Sequence, residues 1–512
     1  MHTPASADKP VWRLNRPRVA HLALAGILVL SLVLNLSNVG FPLGFHADEL
    51  TKIHFIKTGT QDFHHPLLML QLVRVAGSLL QPATDQDLVV VGRVLMGLSG
   101  LASVLLMFVL ARHRCSRPWA LGAALAVAVS PTLVVHAHYL DERTLLTTFL
   151  LAAAVGLFRF VERQTPATTI GLGVAMGLAW SSHFGAILLL PLFALAPLMG
   201  ATQPPRAFWA ALSRAGAVAG GTFLAVNWPL VRDLPLFLNG LRNDVEHIAT
   251  GHDVVIHGHH YWFAFHLVNS LAAGMTWPAL VATLGAVTAT AWTWTRADFH
   301  DRWMLAAALV FYLAVEIAPL KPWPDYSGYA IPVVPFLVYL GARGADRLLA
   351  FARPPVVRAF VGAAIVCALI LYPLYDSTRL VIGLAHDTRT RAAGWLGSHP
   401  GKVLVEKYAG VTDEGRSVGT LDSTDVSQGG VDYVLASSFM YDRFKVGSRL
   451  PGQDAAVYRA QARYEALFAH PFIEIAPVYR SLAFSNPTIR IVDLRPPAVR
   501  LLHPMPPLRP DR

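Results

Sequence analysis

Ionisable side chains are scarce in this chain, only 14% of its 512 residues being Asp, Glu, Lys or Arg, and those able to do chemistry are clustered. The stretch Gly44–Pro66, GFHADELTKIHFIKTGTQDFHHP, gathers Asp48, Glu49, Lys52, Lys57 and Asp62 with His46, His54, His64 and His65 directly after the first long apolar run. Carboxylates and imidazoles held beside a bilayer can take a proton, ligate a metal or grip a phosphate. Asp48-Glu49 opens a helical pattern with Lys52 four residues beyond Asp48. That is what a first-turn acid pair with an ion-paired lysine looks like, and also what a base for an acceptor hydroxyl looks like. The base reading is preferred because further polar clusters follow, which makes Asp48 and Glu49 the catalytic candidates.

Asp141-Glu142-Arg143 reads equally as a solvated turn and as a second acidic point that steers an acceptor. Asp48 and Asp141 are where a divalent cation, Mg or Mn, would be held. His65, His183, Asp141, Glu142, Lys321 and Tyr329 are the substrate-binding candidates. Lys321, near Glu316 at the end of an apolar run, suits an anionic lipid phosphate whose charge grows as it leaves. The histidines at 247, 252, 257, 259 and 260 fit no compact zinc spacing and suit gripping a phosphate or a sugar hydroxyl better.

The elements that must position these groups are membrane helices. A hydrophobic content of 54% and a mean hydropathy of +0.45 exclude an ordinary globular protein. Apolar runs long enough to cross roughly 30 Å of hydrocarbon recur. They fall near 19–39, 89–111, 118–138, 143–161, 167–182, 184–200, 207–229, 264–294, 302–320, 327–343 and 356–376. The first follows Arg13, Arg16 and Arg18 but is too long for a signal peptide and lacks a cleavage site, so it reads as a retained span. The run at 264–294 is over-long, which predicts a strong tilt or an interfacial part. Residues 66–81 are apolar, short and carry Gln71 and Arg74. They read as an amphipathic helix in the interface, within an outer loop 40–88.

Basic residues set the orientation. Lys9, Arg13, Arg16, Arg18, Arg112, Arg114, Arg117, Arg159, Arg163, Arg206, Arg214, Arg296, Arg302, Arg343, Arg347, Arg353 and Arg358 share one set of connections. The other set offers Lys52, Lys57, Arg74, Arg143, Arg232, Arg242 and Lys321, so the bias is seventeen to seven. The first set is therefore cytoplasmic with the N-terminus, and the net charge of +10 reflects membrane topology, with no nucleic-acid partner implied. Nearly every non-arginine ionisable group of the membrane half then lies on the outer side.

After Tyr375 the composition changes. Strand-like runs at 403–406, 433–437, 472–478 and 489–492 alternate with helical patterns at 389–396 and 455–468. The expected fold is mainly α. It comprises a polytopic helical membrane domain over 1–378, with about eleven transmembrane helices, and a small α/β extracytoplasmic domain over 379–512. Cys115 and Cys367 form no disulfide framework.

In order and sidedness these features resemble the C-type membrane glycosyltransferases, specifically the dolichyl-phosphate-mannose protein mannosyltransferases and the lipid A aminoarabinose transferase. The likeness rests on an acidic pair after the first span, His65-Pro66, an acidic site after the third span, and Lys321, Tyr329 and Pro332-Val-Val-Pro335. In the tail it rests on Thr388-Arg389 with Ala392, Ala393 and Trp395, on Asp432-Tyr433-Val434 before Ser437-Ser438, and on Asn486-Pro487-Thr488-Ile489. The resemblance implies a sugar donor on a polyprenyl phosphate, a lipid, glycan or protein acceptor, and an inverting transfer outside the inner membrane of the cell. Asp48 would be the base with Glu49 beside it, Asp141 would hold acceptor or metal, and Lys321 would face the lipid phosphate. A transporter or flippase of a lipid-linked sugar is the rival from another class. Transporters place polar or broken helices near the midplane in paired halves, whereas here the polar groups sit at outer helix ends.

Overall fold

The computed structural model describes residues 17–200, 205–250, 256–257, 263–292, 297–318, 326–351, 354–410, 417–419, 430–444, 448–449 and 454–502. The first eight helices are α1 (Pro17–Leu36), α2 (Ala47–Thr58), α3 (Leu68–Leu80), α4 (Asp85–Ala111), α5 (Arg117–Ala128), α6 (Pro131–Ala137), α7 (Glu142–Glu162) and α8 (Pro166–Ser182). Four described helices have the length and apolar composition to cross a membrane: Arg18–Leu36, Asp85–Ala111, Glu142–Glu162 and Phe360–Gly397. Six do so if each of two bent pairs counts as one crossing. The chain is thus mainly helical with several membrane-crossing helices, and the figure of about eleven remains an expectation from the apolar runs.

Both bends have local causes. The run expected at 118–138 breaks between α5 and α6 by 53°. Pro131 lacks the N–H that would continue the ladder and pushes Ser130 into an extended conformation. The over-long run at 264–294 is divided by a 109° turn between Leu267–Met275 and Trp277–Trp292. The turn falls at Thr276, whose φ of +77° is rare for a β-branched residue.

Close helix packing follows from small residues. On α8, Gly173 and Gly177 lie one turn apart against the helix Pro205–Val226. A Cβ at these positions would meet Ala215 O at 2.5 Å and Ala219 O at 2.6 Å. Helices in lipid associate through such contacts, because apolar side chains gain nothing by leaving the hydrocarbon.

The helix Phe360–Gly397 runs on through the boundary expected at 378 and leads directly into a five-stranded sheet. The strand order is Ser417–Gly419, Val403–Glu406, Tyr433–Ser437, Ile489–Asp493 and Phe472–Ile475; the first two pairings are parallel and the last two antiparallel. Alternate strand residues serve opposite faces. Val403, Val405, Tyr433 and Leu435 pack with Ala392, Trp395 and Leu396 of the entering helix. Leu404, Val434 and Ala436 pack with Tyr464 and Leu467 of the helix Asp454–Phe468.

This C-terminal region is fastened to the loop before α2. Arg389 is buried, forks onto Asp387 at 2.8 and 2.7 Å, and donates to Phe45 O at 2.7 Å and Phe484 O at 2.8 Å. Its guanidinium stacks 4.0 Å from the Phe45 ring. The sheet region therefore bears on the residues immediately preceding Asp48.

Candidate active site

Helix α2 starts where the sequence provides a cap. His46 has extended backbone and its Nδ1 accepts from Asp48 N–H at 3.4 Å, while Gly59 at φ +75° ends the helix through a bond to Phe55 O. His46 is buried between Tyr139 and Phe484, with ring centroids 4.9 and 4.4 Å away. Burial outweighs the neighbouring Asp48 and lowers its pKa.

The two adjacent acids have opposite environments. Glu49 is fully buried, and Arg93 of α4, also fully buried, grips it as a fork: Nε to Oε1 at 3.0 Å and Nη2 to Oε2 at 2.6 Å. Leu140 N–H adds a third bond at 3.2 Å, and Arg93 spends a further donor on Val39 O at 2.9 Å. Glu49 thus ties α2 to α4 and to the turn before α7. Asp48 is exposed, and its carboxylate accepts no hydrogen bond among the described residues. The protein around Asp48 disfavours its charge, but His46 and then Lys52 reverse this and hold the carboxyl below its usual range.

Lys52 is not spent on Asp48 as its spacing suggested. Its ammonium donates to Leu140 O and to Glu142 Oε2, both at 2.7 Å. The other oxygen of Glu142 lies 3.1 Å from His65 Nε2. Burial penalises the Lys52 charge, but Glu142 and Asp48 more than compensate and raise its pKa. His65 stacks on His183 with centroids 5.5 Å apart. His183 Nδ1 accepts from Gly185 N–H at 2.9 Å, and burial, followed by His65, pushes its imidazole down to about 4. The chain after His65-Pro66 is pinned by Leu67 N–H donating to Asn227 Oδ1 at 2.8 Å.

Asp141 caps α7 and is nearly inaccessible. Arg143 donates to it from Nε at 2.9 Å and Nη2 at 2.8 Å, and His136 Nδ1 lies 2.6 Å from Oδ2. Both oxygens are occupied, so Asp141 presents no open carboxylate to a cation. The Asp48–Asp141 cation site does not fit this arrangement. The Arg143 guanidinium carbon lies 6.0 Å from the Tyr329 ring, and Ser327 Oγ is 3.5 Å from His136 Nε2, bringing the expected Tyr329 region to the same turn. Lys321, His252, His259 and His260 lie outside the described residues.

Two contributors were not singled out from sequence. Arg93 lies inside an apolar run, and an arginine there must find a carboxylate, which could have identified it. Asp244, on the helix Leu234–Thr250, is buried within the field of His65, His64 and Glu142, and burial raises its pKa.

Residues 65–225 match the family model described as dolichyl-phosphate-mannose-protein mannosyltransferase. The archaeal oligosaccharyltransferase AglB from Archaeoglobus fulgidus, in complex with an inhibitory peptide and a dolichol-phosphate, superposes with a TM-score of 0.51 at 11% identity, over 84% of this chain and 71% of that one. The apo form of the Archaeoglobus fulgidus oligosaccharyltransferase gives a TM-score of 0.53 at 12% identity, over 91% and 74%. The chain has the C-type glycosyltransferase fold. Part of it, residues 65–225, is in addition similar to the protein mannosyltransferase family. No curated protein sequence matches it.

Proposed function

We propose that this chain moves one sugar from a polyprenyl phosphate to an acceptor hydroxyl on the extracytoplasmic face of the inner membrane, inverting the anomeric carbon. The observation that carries the reading is the division of labour at the start of α2. Glu49 is immobilised by Arg93, and this holds Asp48 at the protein surface, ionised and without a hydrogen-bonding partner among the described residues. In the proposed reaction the acceptor oxygen bonds to the anomeric carbon as the bond from that carbon to the phosphate oxygen breaks. The phosphate leaves with the bonding electrons, and Asp48 takes the acceptor's proton. Such a transfer needs orientation, one base and stabilisation of the leaving charge, and no covalent enzyme intermediate.

The other groups have supporting roles in this proposal. Lys52, Glu142 and His65 form a buried chain that fixes the wall beside Asp48. Asp141, held by Arg143 and His136, positions that guanidinium near Tyr329, where an anionic headgroup can be received. Lys321 would add a second cation for the lipid phosphate. A divalent cation would require Asp141 to exchange Arg143 for metal, so no step is routed through one. Membrane extracts assayed with a panel of polyprenyl-phosphate sugars test the reading: Asp48→Asn should abolish transfer by a protein that still folds.

A transporter or flippase explains these observations less well. It has no need of an exposed carboxylate supported by a buried, fully bonded partner at the outer helix ends.

A further inference from the structure

At the arginine-rich ends of the same helices lies a second cluster, unconnected with the proposed reaction. We propose that His113, Glu162 and His300 bind a divalent transition metal of the zinc class. His113 lies two residues beyond α4, Glu162 is the last residue of α7, and His300 is the second residue of the helix Phe299–Ile317. One ligand atom from each lies within 4.8 Å of the others. Glu162 Oε1 is 3.2 Å from His113 Nδ1 and 3.8 Å from His300 Nε2. Tetrahedral coordination with bonds of about 2.0–2.1 Å puts ligand atoms roughly 3.3 Å apart. Two of the three separations are therefore already near the required value. The third, between the two imidazoles, is at most 4.8 Å and is the one that must shorten on binding.

The second observation is His300 itself. It is 3% exposed, and its Nε2 is buried with no hydrogen-bond partner among the described residues. Leaving such an atom unbonded is costly, and a metal would satisfy it. Phe158 fixes the ring planes, standing edge-on at 4.3 Å from His300 and 5.9 Å from His113. Asp298 Oδ1 lies 3.7 Å from His300 Nδ1, the outer carboxylate that metal-bound imidazoles usually have. Arg114 Nε now donates to that Nδ1 at 2.9 Å and lies 3.4 Å from Asp298 Oδ2. With metal on Nε2 the imidazole proton moves to Nδ1 and bonds Asp298, while Arg114 keeps Asp298 as its partner. Two imidazoles and one carboxylate, with a fourth position for water, suit zinc better than magnesium or calcium, which prefer oxygen. Helix α7 would be stapled at the end opposite Glu142, about 30 Å away by helical rise.

The test uses the full-length protein in detergent, stripped with a chelator and titrated with zinc sulfate by calorimetry, with metal content read after dialysis. One zinc per chain is expected. His113→Ala should abolish retention, and Glu162→Gln, at a half-exposed site that does not threaten folding, should weaken binding at least about tenfold. Asp298→Asn preserves the helix cap and should weaken it about 10–100-fold. His65→Ala, at the other end of the molecule, should leave the stoichiometry at one. The proposal is overturned if the wild type retains no zinc, or if His113→Ala and Glu162→Gln bind as tightly as it does.

Discussion

Arg93→Met tests whether the pair behind Asp48 holds the site together. Arg93 and Glu49 are both fully inaccessible, and two of the arginine's donors meet Glu49 at 3.0 and 2.6 Å. Methionine fills much of the same volume but leaves Glu49 with the Leu140 N–H at 3.2 Å alone. An uncompensated buried charge of this kind costs about 3–5 kcal/mol. In the double variant Glu49→Leu/Arg93→Met no charge is stranded. The carbonyl of Val39 and the N–H of Leu140 still lose partners, at about 1–3 kcal/mol for each such group left dry, whereas Phe41 O keeps the Gln86 side chain. The double variant should therefore be more stable than the sum of the two single losses predicts. Equilibrium unfolding in mixed micelles, with sugar transfer measured on the same preparations, reads both effects. Transfer should fall in the single and the double variants alike, because α2 loses its anchor in each. An Arg93→Met protein within about 1 kcal/mol of wild type, or strictly additive losses in the double variant, would refute the reasoning.

Other outcomes follow from the same geometry. His183 is held at about 4 against a usual 6.5, so the unfolded chain binds its proton first as pH falls. The stability that this neutral imidazole supports is complete above about pH 6.5 and is lost progressively towards pH 4, by up to about 3 kcal/mol. His183→Asn should flatten that slope in unfolding curves between these two values. Arg389→Ala removes the bonds from the sheet region to Phe45 O and Phe484 O. It should speed proteolytic release of the C-terminal region and lower transfer together, and unchanged protease resistance would count against the clamp.

Much of this architecture could be read from residues because its signals are local. The cap, acids and terminal glycine of α2 lie within fourteen residues, Ala47–Thr58 with its two flanking caps. The strands at 403–406 and 433–437 fall where β-branched and apolar runs announce them. The partners across the site are long-range and follow a different logic. Lys52 has Asp48 one turn away, yet it bonds Glu142, ninety positions on, a partner that only the tertiary fold brings within reach. Arg93 was concealed by the apolar residues around it, and Glu49 looked equivalent to Asp48 until burial separated them. His113, Glu162 and His300 share no pattern in the sequence and meet only because three helices end together. The turn at Thr276 had no such signal beyond an excess of length and the Trp277-Pro278 that follows.

The central claim is that Asp48 takes the acceptor's proton while Glu49 supports it. The most direct measurement is transfer from a radiolabelled polyprenyl-phosphate sugar panel by membranes containing wild type or Asp48→Asn, with the unfolding of each protein recorded. The account predicts transfer by wild type and its loss, by at least about 100-fold, in an Asp48→Asn protein of unaltered stability. Equal transfer by both proteins would contradict it.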